Sequence, residues 1–133
     1  MKYLLLLFFL FSSNLIFSQN EYNFKPIVDL IRNSKIIAQD DENTYLGSLS
    51  SEYNSESIFN EFGSYGSKFS SKSIWNEFST FGNKFNADSP FNNYSLKPPM
   101  LIKDGKIVGF LTTNKSISNG ISPNLLQALK EEF

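Results

Sequence analysis

Ser57-Ile58-Phe59-Asn60-Glu61-Phe62-Gly63-Ser64-Tyr65-Gly66-Ser67-Lys68-Phe69 reappears sixteen residues later as Ser73-Ile74-Trp75-Asn76-Glu77-Phe78-Ser79-Thr80-Phe81-Gly82-Asn83-Lys84-Phe85. A partial third copy opens with Ser89-Pro90-Phe91-Asn92-Asn93-Tyr94. Upstream, Leu46-Gly47-Ser48-Leu49-Ser50-Ser51-Glu52-Tyr53 fits the second half of the same unit. Units this short cannot bury a core singly, whereas stacked neighbours can. Each unit predicts short turns and brief helical pieces with its aromatic residues pointing inward. Ser57 and Ser73 are expected to cap a helical turn, with Glu61 and Glu77 near its positive end. Gly63 is expected to stop that turn in a left-handed conformation. Ser79 replaces the corresponding glycine in the second unit, and Gly66 and Gly82 offer a second bend.

The flanks carry a different pattern. Residues 35–50 read as strand, polar turn (Asp40 to Asn43) and strand. Residues 99–114 read the same way, with Asp104-Gly105 between apolar runs as a strong signal for a two-residue hairpin turn. Pro98-Pro99 marks re-entry from the repeats and cannot continue a helix. Apolar residues at Phe24, Ile27, Val28, Leu30 and Ile31 predict a one-sided helix over 24–33. Ser122-Pro123 is a suitable helix start, with Leu125, Leu126 and Leu129 as its buried face. The expected fold is α+β. A small antiparallel sheet from two β-hairpins (35–50 and 99–114) encloses an irregular 16-residue repeat segment (46–94), with short terminal helices, the second over 123–132.

The combined pattern resembles that of a group of bacterial exported proteins. In these a hairpin ending Tyr-x-Gly-x-Leu precedes tandem Ser-Ile-x-Asn-x-Tyr-Gly-x-Tyr-Gly-Ser units, then Pro-Pro and a second hairpin. The matching segments are Tyr45 to Leu49, Ser57 to Ser70, Ser73 to Phe85, Ser89 to Tyr94, Pro98-Pro99 and Gly109 to Leu111. This chain departs by placing Phe at many Tyr positions and Ser79 where a glycine is usual. The resemblance implies the architecture and export, and carries no activity.

Lys2 followed by the apolar run Tyr3 to Phe11, and then by Ser12, Ser13 and Ser18, has the parts of a secretory signal. Residues 1–18 are read as a signal peptide and 19–133 as a single small domain. The apolar run is shorter than a spanning helix needs, so no membrane attachment is expected after cleavage. The expected destination is periplasm, cell surface or medium. Cysteine is absent, which removes disulfides, thiolate nucleophiles and cysteine metal sites. Histidine is absent too, which removes the commonest general base and zinc ligand. The whole chain has a net charge of −1 with Arg32 as its only arginine, so no nucleic-acid partner is expected.

The remaining carboxylates fit solvation and turn formation. Asp40, Asp41 and Glu42 cluster in a turn, where acids commonly bond the backbone. They lack the alternating spacing of a calcium loop. No catalytic residue, metal or cofactor is therefore assigned. The expected function is an exported, non-catalytic repeat module that scaffolds a surface or engages an unknown protein partner. The alternative is binding of a carbohydrate or cell-envelope glycan through repeat aromatics, with Tyr65, Trp75, Phe81, Asn60 and Asn76 as the contact residues. For the asparagines the favoured reading is a ladder bonded to neighbouring backbone. For the aromatic position shared by Phe59, Trp75 and Phe91 it is core.

Overall fold

The structure, a computed structural model, describes residues 22–133; the signal peptide assigned to 1–18 lies outside them. It is an α+β fold. The elements in order are α1 (Lys25–Ile31), β1 (Lys35–Ile37), β2 (Tyr45–Ser48), β3 (Met100–Lys103), β4 (Lys106–Leu111), β5 (Gly120–Ile121) and α2 (Pro123–Ala128), then a 3₁₀ turn at Lys130–Glu132. The strands form one sheet in the order β2-β1-β3-β4-β5. Both expected hairpins are present and are joined by antiparallel pairing of β1 with β3. The sheet is mixed, however, because β5 runs parallel to β4. Two residues carry no readable periodicity, which is why β5 is invisible in the sequence.

Local chemistry sets the connections. Asp104 and Gly105 both take positive φ (53° and 75°), the conformation a tight I′ hairpin turn demands. Between β1 and β2, the Asp40 carboxylate accepts from the Thr44 backbone N–H (2.9 Å) and hydroxyl (2.5 Å). Those bonds hold the Asp40 carboxyl below its usual range, Thr44's hydroxyl contributing most. Pro26 occupies the first turn of α1 and Ser122 caps α2 through the Asn124 N–H. Arg32, at the end of α1, donates to the Glu132 carbonyl at 2.7 Å and so ties α1 to the C-terminal turn. Of the expected helical stripe, Val28 and Ile31 are buried while Ile27 and Leu30 face solvent.

Between the hairpins the chain turns every three residues. The N–H of Asn54 bonds the carbonyl of Ser51, that of Ser57 bonds Asn54, and Asn60 bonds Ser57, continuing to Ser95 at 2.9–3.4 Å. Longer steps occur only at Gly63 to Ser67 and Ser79 to Asn83. Four steps of three and one of four make up each 16-residue unit. No helix forms over residues 49–99, contrary to the brief helical pieces expected. The reason lies in the residues that open the turns. Ser57, Asn60, Ser73, Asn76, Ser89 and Asn92 each accept, on the side-chain oxygen, the N–H two residues on, at 2.9–3.1 Å. Such local bonds compete with helix and favour turns.

The glycines also act differently from expectation. Gly63, Gly66 and Gly82 do not adopt positive φ. Gly66 and Gly82 are needed for close approach: a Cβ there would lie 2.0 Å from the Asn60 carbonyl oxygen and 1.9 Å from that of Asn76. Ser79 needs no glycine, because its hydroxyl donates to the Asn76 carbonyl (2.8 Å) and accepts the Gly82 N–H (3.1 Å).

One core joins the two parts. Ile36, Leu46, Leu101 and Leu111 from the sheet meet Ile31 and Leu126 from the helices, and Ile58, Phe59 and Ile74 from the repeats. Ile58, Ile74 and Pro90 share one repeat position and are all fully buried, as are Ser57, Ser73 and Ser89 before them. Each unit thus delivers one apolar wedge to the sheet.

Two outcomes follow. Gly66→Ala is expected to lose about 3 kcal/mol or more in denaturant unfolding, since backbone must move. Gly105→Ala, strained but facing open space, is expected to lose only about 1 kcal/mol. Equal losses would contradict the close-approach account. For Asp40 the folded carboxyl is lowered from 3.8, so its contribution is present above that value and is lost as pH falls below it. Asp40→Asn should therefore flatten the loss of melting temperature between pH 5 and 2 (about that range); an unchanged slope would contradict the assignment.

Candidate functional site

The three-residue rhythm divides the repeat aromatics into two classes. The residue two positions after Ser57, Ser73 and Ser89 (Phe59, Trp75, Phe91) turns toward the core. The residue two positions after the asparagines (Phe62, Phe78, Tyr94) turns out, as do Tyr53, Phe69 and Phe85 at the remaining corner. These six are exposed to 82–99 %, with Phe62 at 99 %. They form two rows with a spacing of sixteen residues: Phe62, Phe78 and Tyr94, and Tyr53, Phe69 and Phe85. The expectation that all repeat aromatics point inward is therefore corrected for these positions.

Clefts open between the rows. The first, of ≈ 760 Å³, is bounded by Phe62 and Phe69, with Glu61, Lys68 and Trp75 on its walls. Moving each of these residues by sixteen gives Phe78, Phe85, Glu77, Lys84 and Phe91, which line a second cleft of ≈ 600 Å³. A third, of ≈ 590 Å³, lies between Phe69 and Phe78 and also touches Trp75. The second cleft passes at Asn93, Thr113 and Asn124 into a hydroxyl- and amide-lined recess of ≈ 540 Å³. There Thr113 donates to the Asn93 side-chain oxygen at 2.6 Å.

Charge on this face alternates. Glu61 and Glu77 precede Phe62 and Phe78, while Lys68 and Lys84 precede Phe69 and Phe85. All four are exposed, and none belongs to the ion pairs of the described residues, which join Lys25 and Arg32 to Asp29 and Lys97 to Asp88. The Lys84 ammonium instead sits 5.3 Å from the centroid of the Phe85 ring.

The residues named from sequence as ligand contacts occupy different surroundings. Tyr65 is half-buried, edge-on to Tyr45 at 5.1 Å. Phe81 is likewise half-buried against the core. Trp75 packs at a 58° tilt against Phe91, ring centroids 5.8 Å apart, and donates its indole N–H to the Ile58 carbonyl at 2.6 Å, so only part of its ring reaches the clefts. Asn60 and Asn76 donate to the carbonyls of Asn54 (3.2 Å) and Ser70 (3.0 Å), while their oxygens accept from Phe62 and Phe78. Asn92 repeats the arrangement on Asn86. Both ends of each amide thus serve the coil. The structure brings Trp75 alone of the five onto the walls of all three clefts. Phe62, Phe69, Phe78 and Phe85 were not singled out from sequence, although the three-residue spacing of Ser and Asn held the signal.

Among the described residues no group of three or more acidic, histidine or cysteine side chains is placed to hold a metal ion. None of the described helices is long and apolar enough to cross a membrane. No family model, curated protein or solved structure matches the chain.

Asn76→Ala is expected to lower stability by about 1–3 kcal/mol by stripping the Ser70 carbonyl and Phe78 N–H of their partner. Equilibrium unfolding checks it. A variant as stable as the parent would free Asn76 for a ligand role instead.

Proposed function

We propose that this chain is an exported, non-catalytic repeat module whose two rows of outward aromatic rings engage a protein partner. The observation that carries the reading is the pair of equivalent clefts edged by Phe62 and Phe69 and by Phe78 and Phe85. Large rings held almost wholly in water contribute nothing to the core, and contiguous exposed apolar surface marks an interaction site. The mix of one acid and one lysine in each cleft suits a protein surface, where a charged rim surrounds apolar anchors. The basic start and apolar run of residues 1–18 support export to periplasm, cell surface or medium. A non-catalytic role is supported by the chemistry of the clefts, whose ionisable groups are Glu61, Glu77, Lys68 and Lys84 on open walls.

A glycan is the second reading, favoured by the amide and hydroxyl recess at Asn93, Thr113 and Asn124 beside the second cleft. It is weaker because the rims are phenyl groups without donors, and the indole N–H of Trp75 is already engaged.

Replacing Phe78 by a photoreactive benzoylphenylalanine in the native host tests this directly. The proposal expects a discrete, protease-sensitive adduct after illumination. A periodate-sensitive smear would favour the glycan, and no adduct would contradict both. As a companion, measured at a dilution where no partner is bound, Phe62, Phe69, Phe78 and Phe85 changed together to Ser should leave the melting temperature within about 3 °C. A collapse of stability would mean that the rings serve the fold.

A further inference from the structure

The aromatic face is built to meet itself. One row carries its rings beside acids, Glu61 with Phe62 and Glu77 with Phe78. The other carries Lys68 with Phe69 and Lys84 with Phe85, after Glu52 beside Tyr53 at its start. Both rows border the same clefts, so each cleft has one acidic and one basic side. From this arrangement we propose that the protein partner is a second copy of this chain, docked face to face about a twofold axis running along the rows. The inference rests on the reading of the aromatic face as a protein-binding surface.

The sign of the charges selects that axis. A rotation about an axis along the rows lays Glu61 and Glu77 of one copy over the side that carries Lys68 and Lys84 in the other, on both sides at once. A twofold axis across the rows would instead stack acid on acid and lysine on lysine, which is repulsive. An isologous contact of this kind closes on itself and yields a dimer rather than a filament. The rings of one copy then have the clefts of the other to enter. Tyr53, Phe62, Phe69, Phe78, Phe85 and Tyr94 are each at least 82 % exposed. Covering six rings of this size removes on the order of 1,000 Å² of surface per copy. A stable interface of ordinary size needs about 800 Å² per partner. Glu61, Lys68, Glu77 and Lys84, outside the ion pairs of the described residues, acquire partners in the same step.

Other occupants fit less well. An anionic membrane surface would favour an excess of lysine, and here acids and lysines alternate. A glycan would leave the opposed charges without a counterpart.

Sedimentation equilibrium of the protein as its host exports it, followed from micromolar to millimolar concentration, tests the proposal. The parent should sediment as two chains. The double reversal Glu61→Lys with Glu77→Lys should weaken association by about tenfold or more, and so should Lys68→Glu with Lys84→Glu. Mixing the two variants should restore a dimer containing one of each. That rescue also shows that both variants are folded. A parent that remains a single chain throughout would overturn the proposal. So would growth into open oligomers, or variants that each dimerise as well as the parent. A single chain that still gives a discrete protein adduct at Phe78 would leave the partner-binding reading standing and remove only the second copy. A single chain without any adduct would remove both.

Discussion

The interaction on which the structure depends is a short one: a serine or asparagine oxygen accepting the N–H two residues ahead, while the carbonyl of that residue accepts the N–H three ahead. The pair recurs from Asn54 to Asn92. Each neutral bond contributes on the order of 1 kcal/mol, and their repetition fixes backbone direction over a segment whose buried apolar residues are Ile58, Phe59, Ile74 and Pro90. With no cysteine in the chain, these side-chain bonds take the place that disulfides hold in many other small domains. They also satisfy backbone donors that neither helix nor strand would satisfy there.

The rhythm has a further consequence for where side chains point. In each unit the turn opened by a buried serine sends its third residue inward, to Phe59, Trp75 or Phe91, behind the wedge of Ile58, Ile74 or Pro90. The turns opened by Asn60, Asn76 and Asn92 lie on the far side of the coil and send theirs to solvent. One repeat therefore supplies both a core and a patterned outer face. The sheet contributes the flat surface against which the wedges close, and the Arg32 contact to the Glu132 carbonyl links α1 to the C-terminal turn.

Much of this was readable in the residues, and what was not has physical causes. Asp104-Gly105 and the apolar runs beside it specify their hairpin locally, so it appears as expected. The Asn60, Asn76 and Asn92 ladder follows from the offset of sixteen alone. The outward rings were missed because hydrophobicity favours burial on average, while the direction of Phe62 or Phe69 is set by its place within a three-residue step. Gly63 illustrates the same limit: glycine signals conformational freedom, yet the constraint on Gly63 and Gly66 alike is close approach, a Cβ lying 2.8 Å from the Ser55 carbonyl oxygen at the first and 2.0 Å from that of Asn60 at the second. β5 is held by its neighbour β4 and by two residues of its own, which leaves no pattern to read.

The account stands or falls on the three-residue turns themselves. Scalar couplings transmitted through hydrogen bonds, measured by NMR between an amide nitrogen and the carbonyl carbon three residues earlier, report them without intermediaries. Couplings are expected from Ser57 to Asn60, Ser73 to Asn76 and Ser89 to Asn92, at the same position in each unit. Couplings that instead join residues sixteen apart, as in a stacked ladder of strands, or their absence throughout the segment, would contradict the account.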